Sequence, residues 1–188
     1  MTVLGSYRGL VRDDLGWLNT AGRPDPAETF HRPNLARVGL DDVAAAASGV
    51  MCSVALYLHD GDLISNLTFV SAGTAGGTLT NQIAALYSRT GALLAQSADK
   101  TNEAWAADTA KTFALATPQR ITKSGIYYAA LAIAASTVPT LVGTVGAKPI
   151  LAGEVNLSQT SGSGIGATAP ATIATPAFKR AVPLVIAT

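Results

Sequence analysis

His59, Asp60 and Asp62 stand together in LHDGDL, and an imidazole flanked by two carboxylates can hold a divalent cation or relay a proton. The competing use of these residues is conformational, because Asp60-Gly61-Asp62 is an ideal solvent-facing turn, and the turn is the use expected of it. His31, the other histidine, can join His59 only through a tertiary contact, and two imidazoles do not close a zinc site without carboxylate help. Nucleophilic chemistry has less to draw on. No serine occupies a G-x-S-x-G elbow, and Ser163 lies within the low-complexity SGSGIG. Neither GTAGGTL nor GSGIG has the glycine spacing that wraps a phosphate. The residues therefore predict a protein that is not an enzyme and carries no metal or cofactor. A hydrolase built on His31, His59 and a carboxylate stands as the remote alternative.

The aromatic residues offer binding chemistry instead. Trp105, in TNEAWAADTA, could stack on the apolar face of a sugar ring, or cap the end of a core too rich in alanine to close itself; the cap is the expected use. Tyr127 and Tyr128 are adjacent, so in a strand one faces inward and the other outward, where it could meet a sugar or a second subunit. Trp17 in DDLGWLN has no core of its own and reads either as an anchor against another surface or as packing on its own domain.

The elements that must position these groups are short strands. From Val50 onward, apolar runs alternate with turn signals at intervals of about ten residues, the pattern of an all-β sandwich or barrel. SVALYLH is a strand, Asp60-Gly61-Asp62 the turn after it, and Leu63, Leu67 and Phe69 then alternate with Asn66 and Thr68. Residues 83–88 and 92–97 flank Arg89-Thr90-Gly91 as a hairpin whose glycine takes a positive φ. Lys111–Ala116 puts Phe113 and Leu115 on one face, and IYYAALAIAA forms a long strand after the turn at Lys123-Ser124-Gly125. Residues 153–177, rich in Gly, Ser, Thr and Pro, read as a surface excursion. The apolar Val182–Ile186 returns to the sheet, with Pro183 confining it to an edge or a strand start. The fold expected is a jelly-roll-like β-sandwich over residues 43–188.

Residues 1–42 differ in kind. They hold 11 of the chain's charged side chains, although the whole chain has only 13 basic and 12 acidic ones, together with Pro24, Pro26 and Pro33. This is the composition of an extended arm containing at most a short helix. The one helical signal falls in LDDVAAAASG, with Asp41 as N-cap and Gly49 as the stop. Arg12, Trp17, Arg23, Phe30, His31 and Arg32 are its candidate docking residues. The net charge of +1 sets up no field for nucleic acid, and no run is long and apolar enough for membrane insertion. The first residues lack the layout of a signal peptide, so synthesis in the host cytoplasm as a soluble chain is expected. Cys52, in VMCSVALYL, is expected to be buried as a small hydrophobe.

Taken together, LYLHDGDLISNLTFVSAGTAGG (56–77), AALYSRTGALLAQSADKTNEAWAADTAKTFAL (84–115), TKSGIYYAALAIAAS (122–136) and TVPTLVG (137–143) resemble a β-sandwich module of virion proteins from phages that infect actinobacteria. Such modules are minor tail proteins or capsid decoration and fibre domains. The resemblance implies a structural and adhesive role without catalytic residues and a location in the virion, with other capsid or tail proteins as partners. The low charge and small side chains further predict a homo-oligomer, with a homotrimer favoured. The alternative is a carbohydrate-binding host-adhesion module that contacts a surface glycan through Trp105 and the loops SAGTAGG and DGD.

Overall fold

The computed structural model describes residues 30–188. Among them there is no helix, and the chain forms strands β1 (Arg32–Pro33), β2 (Asp41–Val43), β3 (Met51–Leu58), β4 (Leu63–Val70), β5 (Gly77–Tyr87), β6 (Leu93–Gln96) and β7 (Ala110–Arg120). They are followed by β8 (Gly125–Thr137), β9 (Leu141–Val145), β10 (Ser158–Ser161), β11 (Ala177–Phe178), β12 (Ala181–Pro183) and β13 (Val185–Ala187). A six-stranded sheet runs β11-β10-β3-β8-β5-β6, a four-stranded sheet β1-β13-β4-β7, and a three-stranded sheet β12-β9-β2. Every strand pair is antiparallel, so the protein is an all-β sandwich.

Period-two alternation builds the core. The inner face of the six-stranded sheet contributes Val54, Leu56, Leu58, Leu86, Leu131 and Ile133, and the four-stranded sheet answers with Ile64, Leu67, Phe69, Phe113 and Val185. The other face of the larger sheet is buried as well. Met51, Ile83, Ala85, Tyr87, Tyr128, Ala130 and Ala132 form a second cluster, closed by Val155, Ile165, Ala169 and Ile173. The stretch 153–177 is therefore a third layer over the sheet, tied on by β10 against β3 and by an isolated bridge from Thr172 to Ala92. The excursion expected here keeps most of its residues exposed while lying against the sheet. The alanines of β8 leave a shallow surface on which backbone can lie close, and a segment rich in Gly, Ser and Ala fills it.

Several local expectations fail for identifiable reasons. LDDVAAAASG makes no helix: Val43 pairs with Leu141 in β2, the Asp41 side chain accepts from the Asp42 N–H at 2.8 Å, and Ala46 packs in the core. Alanine's helix preference is worth only tenths of a kcal/mol per residue, less than these contacts. In β4 a bulge between Ile64 and Asn66 shifts the alternation, so Ile64 is buried while Leu63, expected inside, is 45% exposed. Pro183 does lie at a sheet edge, in β12, whereas Val185–Ala187, one residue further on, forms β13 between β1 and β4. Gly91, at φ +84°, closes the β5–β6 hairpin as expected.

Candidate functional site

Of the proposed docking residues, Arg12, Trp17 and Arg23 lie outside the described residues. Phe30, His31 and Arg32 lie where the arm meets the body. Arg32 donates from Nε to Asp62 Oδ2 at 2.9 Å and from Nη2 to Asp62 Oδ1 at 2.8 Å, a two-pronged ion pair, and the ring of Phe30 lies 4.7 Å from its guanidinium carbon. Asp62 also accepts from the His59 N–H at 2.8 Å. Only 8% of Asp62 is exposed, so the turn faces solvent through Asp60 but not through its second carboxylate. Arg32 is thus committed to its own domain. The next residues are clamped too: Asn34 donates from Nδ2 to the Pro183 carbonyl at 2.9 Å and accepts from the Val185 N–H at 2.8 Å. A groove of about 520 Å³ opens beside this joint, lined by Phe30, Gly61, Leu63, Ser65, Asn66 and Thr188.

The metal reading of LHDGDL has little to work with. Asp62 is occupied by Arg32, and the His59 ring packs edge-on against Tyr57, with centroids 5.1 Å apart. Among the described residues no three His, Cys, Asp or Glu side chains gather into a metal-binding group. Cys52 is buried as expected; burial pushes its thiol up, against the opposing effect of the Ser158 hydroxyl.

Trp105 is 2% exposed, packs edge-on against Phe113 with centroids 6.0 Å apart, and donates from Nε1 to the Thr109 carbonyl at 3.1 Å. It caps the core, and a buried indole cannot stack on a sugar, which removes the glycan contact considered for it. Tyr127 rests half-buried against the main core, its hydroxyl donating to the Lys123 carbonyl at 2.9 Å. Tyr128 faces the other way, yet it is only 3% exposed because the third layer covers it. The outward tyrosine expected at a subunit interface is thus enclosed by its own chain.

Beside Trp105 lies a polar cluster that the sequence reading missed. Lys111 is 6% exposed, and its Nζ donates to Gln82 Oε1 at 2.9 Å and to the Glu103 carbonyl at 3.0 Å, 5.3 Å from the Trp105 ring centroid. Burial lowers the Lys111 ammonium below its usual value, and the Glu103 carboxylate opposes that shift. Asp99 organises the neighbouring backbone, accepting from the Gln82 N–H, from Asn81 at 2.7 Å and from the Thr101 hydroxyl. The signal was present: Lys111 stands two residues before Phe113 and four before Leu115, so alternation places it on the inward face with them. The cluster holds the long 97–109 connection to the end of the sandwich.

No protein-family profile matches the chain, and no curated protein matches it significantly. The fold and the joint at Arg32 define an all-β sandwich entered by an N-terminal segment that is hydrogen-bonded to the domain it carries.

Proposed function

We propose that this chain is a non-enzymatic bacteriophage virion protein, of minor tail or capsid decoration type, that attaches through its N-terminal residues and displays the sandwich. The observation that carries the reading is the joint at residues 30–34. There Arg32, Asn34 and β1 fix the first described residues to two elements at once, the DGD turn and β13. A tether joined to a folded body in this way transmits position, which suits a module held at a defined place on a particle. The resemblance of residues 50–187 to virion sandwiches supports the same reading. Val145, at the end of β9, and Ile150, Leu151 and Leu157 in the connection after it, 62%, 85%, 69% and 50% exposed, are apolar side chains open to self-association, with a homotrimer the favoured closed form.

The test is to probe purified particles of the phage encoding the chain with antibody raised against residues 30–188, beside particles whose copy lacks residues 1–29. Labelling at repeated positions on the full-length particles, and its loss on the truncated ones, is expected. Protein found only in the soluble lysate, or incorporation unaffected by the truncation, overturns the proposal.

A further inference from the structure

A second concavity lies on the opposite, three-layered side of the molecule, between the tip of the β5–β6 hairpin and the segment that covers Tyr128. It has a volume of about 230 Å³ and is lined chiefly by Arg89, Tyr128, Glu154, Asn156, Gln159 and Ile173. Its hydrogen bonds do not close on themselves. Gln159 is only 4% exposed as a residue; its Oε1 accepts from Asn156 Nδ2 at 3.1 Å, and its Nε2 reaches solvent at the cleft. Arg89 spends one N–H on the Gly153 carbonyl at 3.2 Å, leaving the rest of the guanidinium for the cleft. Tyr128 donates to the Asn156 carbonyl at 3.2 Å and retains an acceptor lone pair. Glu154 uses Oε2 to accept from the N–H groups of Ile150 and Leu151 at 2.7 and 3.0 Å, which leaves Oε1 without a protein donor.

The Gln159 amide is thus held in place by Asn156 with its donor face open, and it faces a cleft already furnished with other unspent groups. Donors from Arg89 and Gln159 stand with acceptors on Asn156, Glu154 and Tyr128, and the single cation is matched by a single carboxylate. Such a set selects neither an anion nor a cation. It suits hydroxyl groups, each of which donates and accepts at once, while Ile173, Val155 and Pro176 present apolar surface to C–H groups. The walls are preformed: the Ile173 N–H donates to the Gly91 carbonyl at 2.8 Å, and the Leu93 N–H donates to Ala171 at 2.9 Å. The volume lies below the roughly 300–1,000 Å³ of pockets for drug-sized ligands, so it matches one ring and not a long chain.

We infer that this cleft binds a single neutral sugar ring, with Arg89 and Gln159 donating to its hydroxyl oxygens and Asn156 and Glu154 accepting from its hydroxyl protons. The inference stands on the cleft alone and is independent of where the protein resides.

Ligand-observed NMR on the full chain, with glucose, galactose, mannose, rhamnose, arabinose and N-acetylglucosamine as separate probes and glucuronate as the charged one, tests it. At least one neutral sugar should bind at millimolar concentration and more tightly than glucuronate. Arg89→Ala, at an exposed hairpin tip, and Gln159→Met, which keeps the buried volume, should each weaken that binding by about tenfold or more, the effect of losing one good polar contact. Thermal melts of both variants show whether the fold persists; should Gln159→Met unfold, Arg89→Ala alone decides. Absence of binding by every neutral sugar, tighter binding of glucuronate, or unchanged affinity in a folded variant each overturns the inference.

Discussion

Lys111 carries a charge into the sandwich because four of its surroundings accept it: a side-chain amide, a backbone carbonyl, the flank of an indole and the Glu103 carboxylate at 3.7 Å. Replacing it by Met keeps the volume but strands Gln82 Oε1, while the Glu103 carbonyl loses one of its two donors and keeps Gln82 Nε2. Lys111→Met should therefore cost about 2 kcal/mol in urea unfolding, within the range for hydrogen bonds to charged groups. At Asp99, burial works to raise the carboxyl, and the hydrogen bonds from Thr101, the Gln82 N–H and Asn81 together outweigh it, holding the group below its usual value. A depressed carboxyl stabilises the fold fully above its unfolded value of about 3.9 and loses that contribution as pH falls through the lower folded value. Asp99→Asn should flatten the acid side of the stability profile, read by melting temperature between roughly pH 2 and pH 5. An unchanged acid limb would show that Asp99 does not govern it. These residues also mark where sequence reading reaches its limit. Alternation could place Lys111 inward, but nothing local predicts that Gln82 and the Glu103 carbonyl arrive from elsewhere to receive it.

The strands show the same division. The long strand β8 was legible because Tyr128, Ala130 and Ala132 alternate with Tyr127, Ala129, Leu131 and Ile133 over its length. Residues 44–47 were not legible, since four alanines look helical alone and their placement depends on Val43 finding Leu141 almost a hundred residues away. Nor was the bulge at Ile64, which exists only in the pairing with β7. The candidate cleft was hidden for a related reason: Gln159 lies in a stretch whose composition suggests loose chain, and only its pairing with Ser53 buries it. Two predictions belong at this scale. In β9, a Cβ on Gly143 would lie 2.9 Å from the Pro183 Cα, 2.8 Å from Val43 Cγ2 and closer still to the Val182 carbonyl oxygen. Gly143→Ala should destabilise by about 1–3 kcal/mol, the usual cost of overpacking, because two of the obstacles are backbone. Truncation should divide sharply between residues 29 and 42. A chain starting at residue 30 keeps Arg32 and both short strands and sets the reference melting temperature. One starting at residue 43 loses them, leaves the Asp62 carboxylate buried without its guanidinium, and should unfold at markedly lower temperature.

Across the whole molecule, contacts are overwhelmingly distant in sequence: Arg32 pairs with Ala187, Met51 with Ser161, and Asp41 with Gly143. Refolding should accordingly take milliseconds to seconds, the range of β-sandwiches of high contact order, when followed by stopped-flow fluorescence. Completion within microseconds would contradict the pairing. The position of β13 has a consequence for biosynthesis. Among the described residues it is the last strand to be made, yet it belongs between β1 and β4. While a nascent chain waits for it, the free edge of β4 exposes unpaired N–H and C=O groups that a neighbouring chain's Val185–Ala187 could satisfy equally well. Chains translated close together on one message thus have a route to strand exchange, and the order of synthesis, as much as the surface of the finished domain, can decide how many copies leave the ribosomes joined.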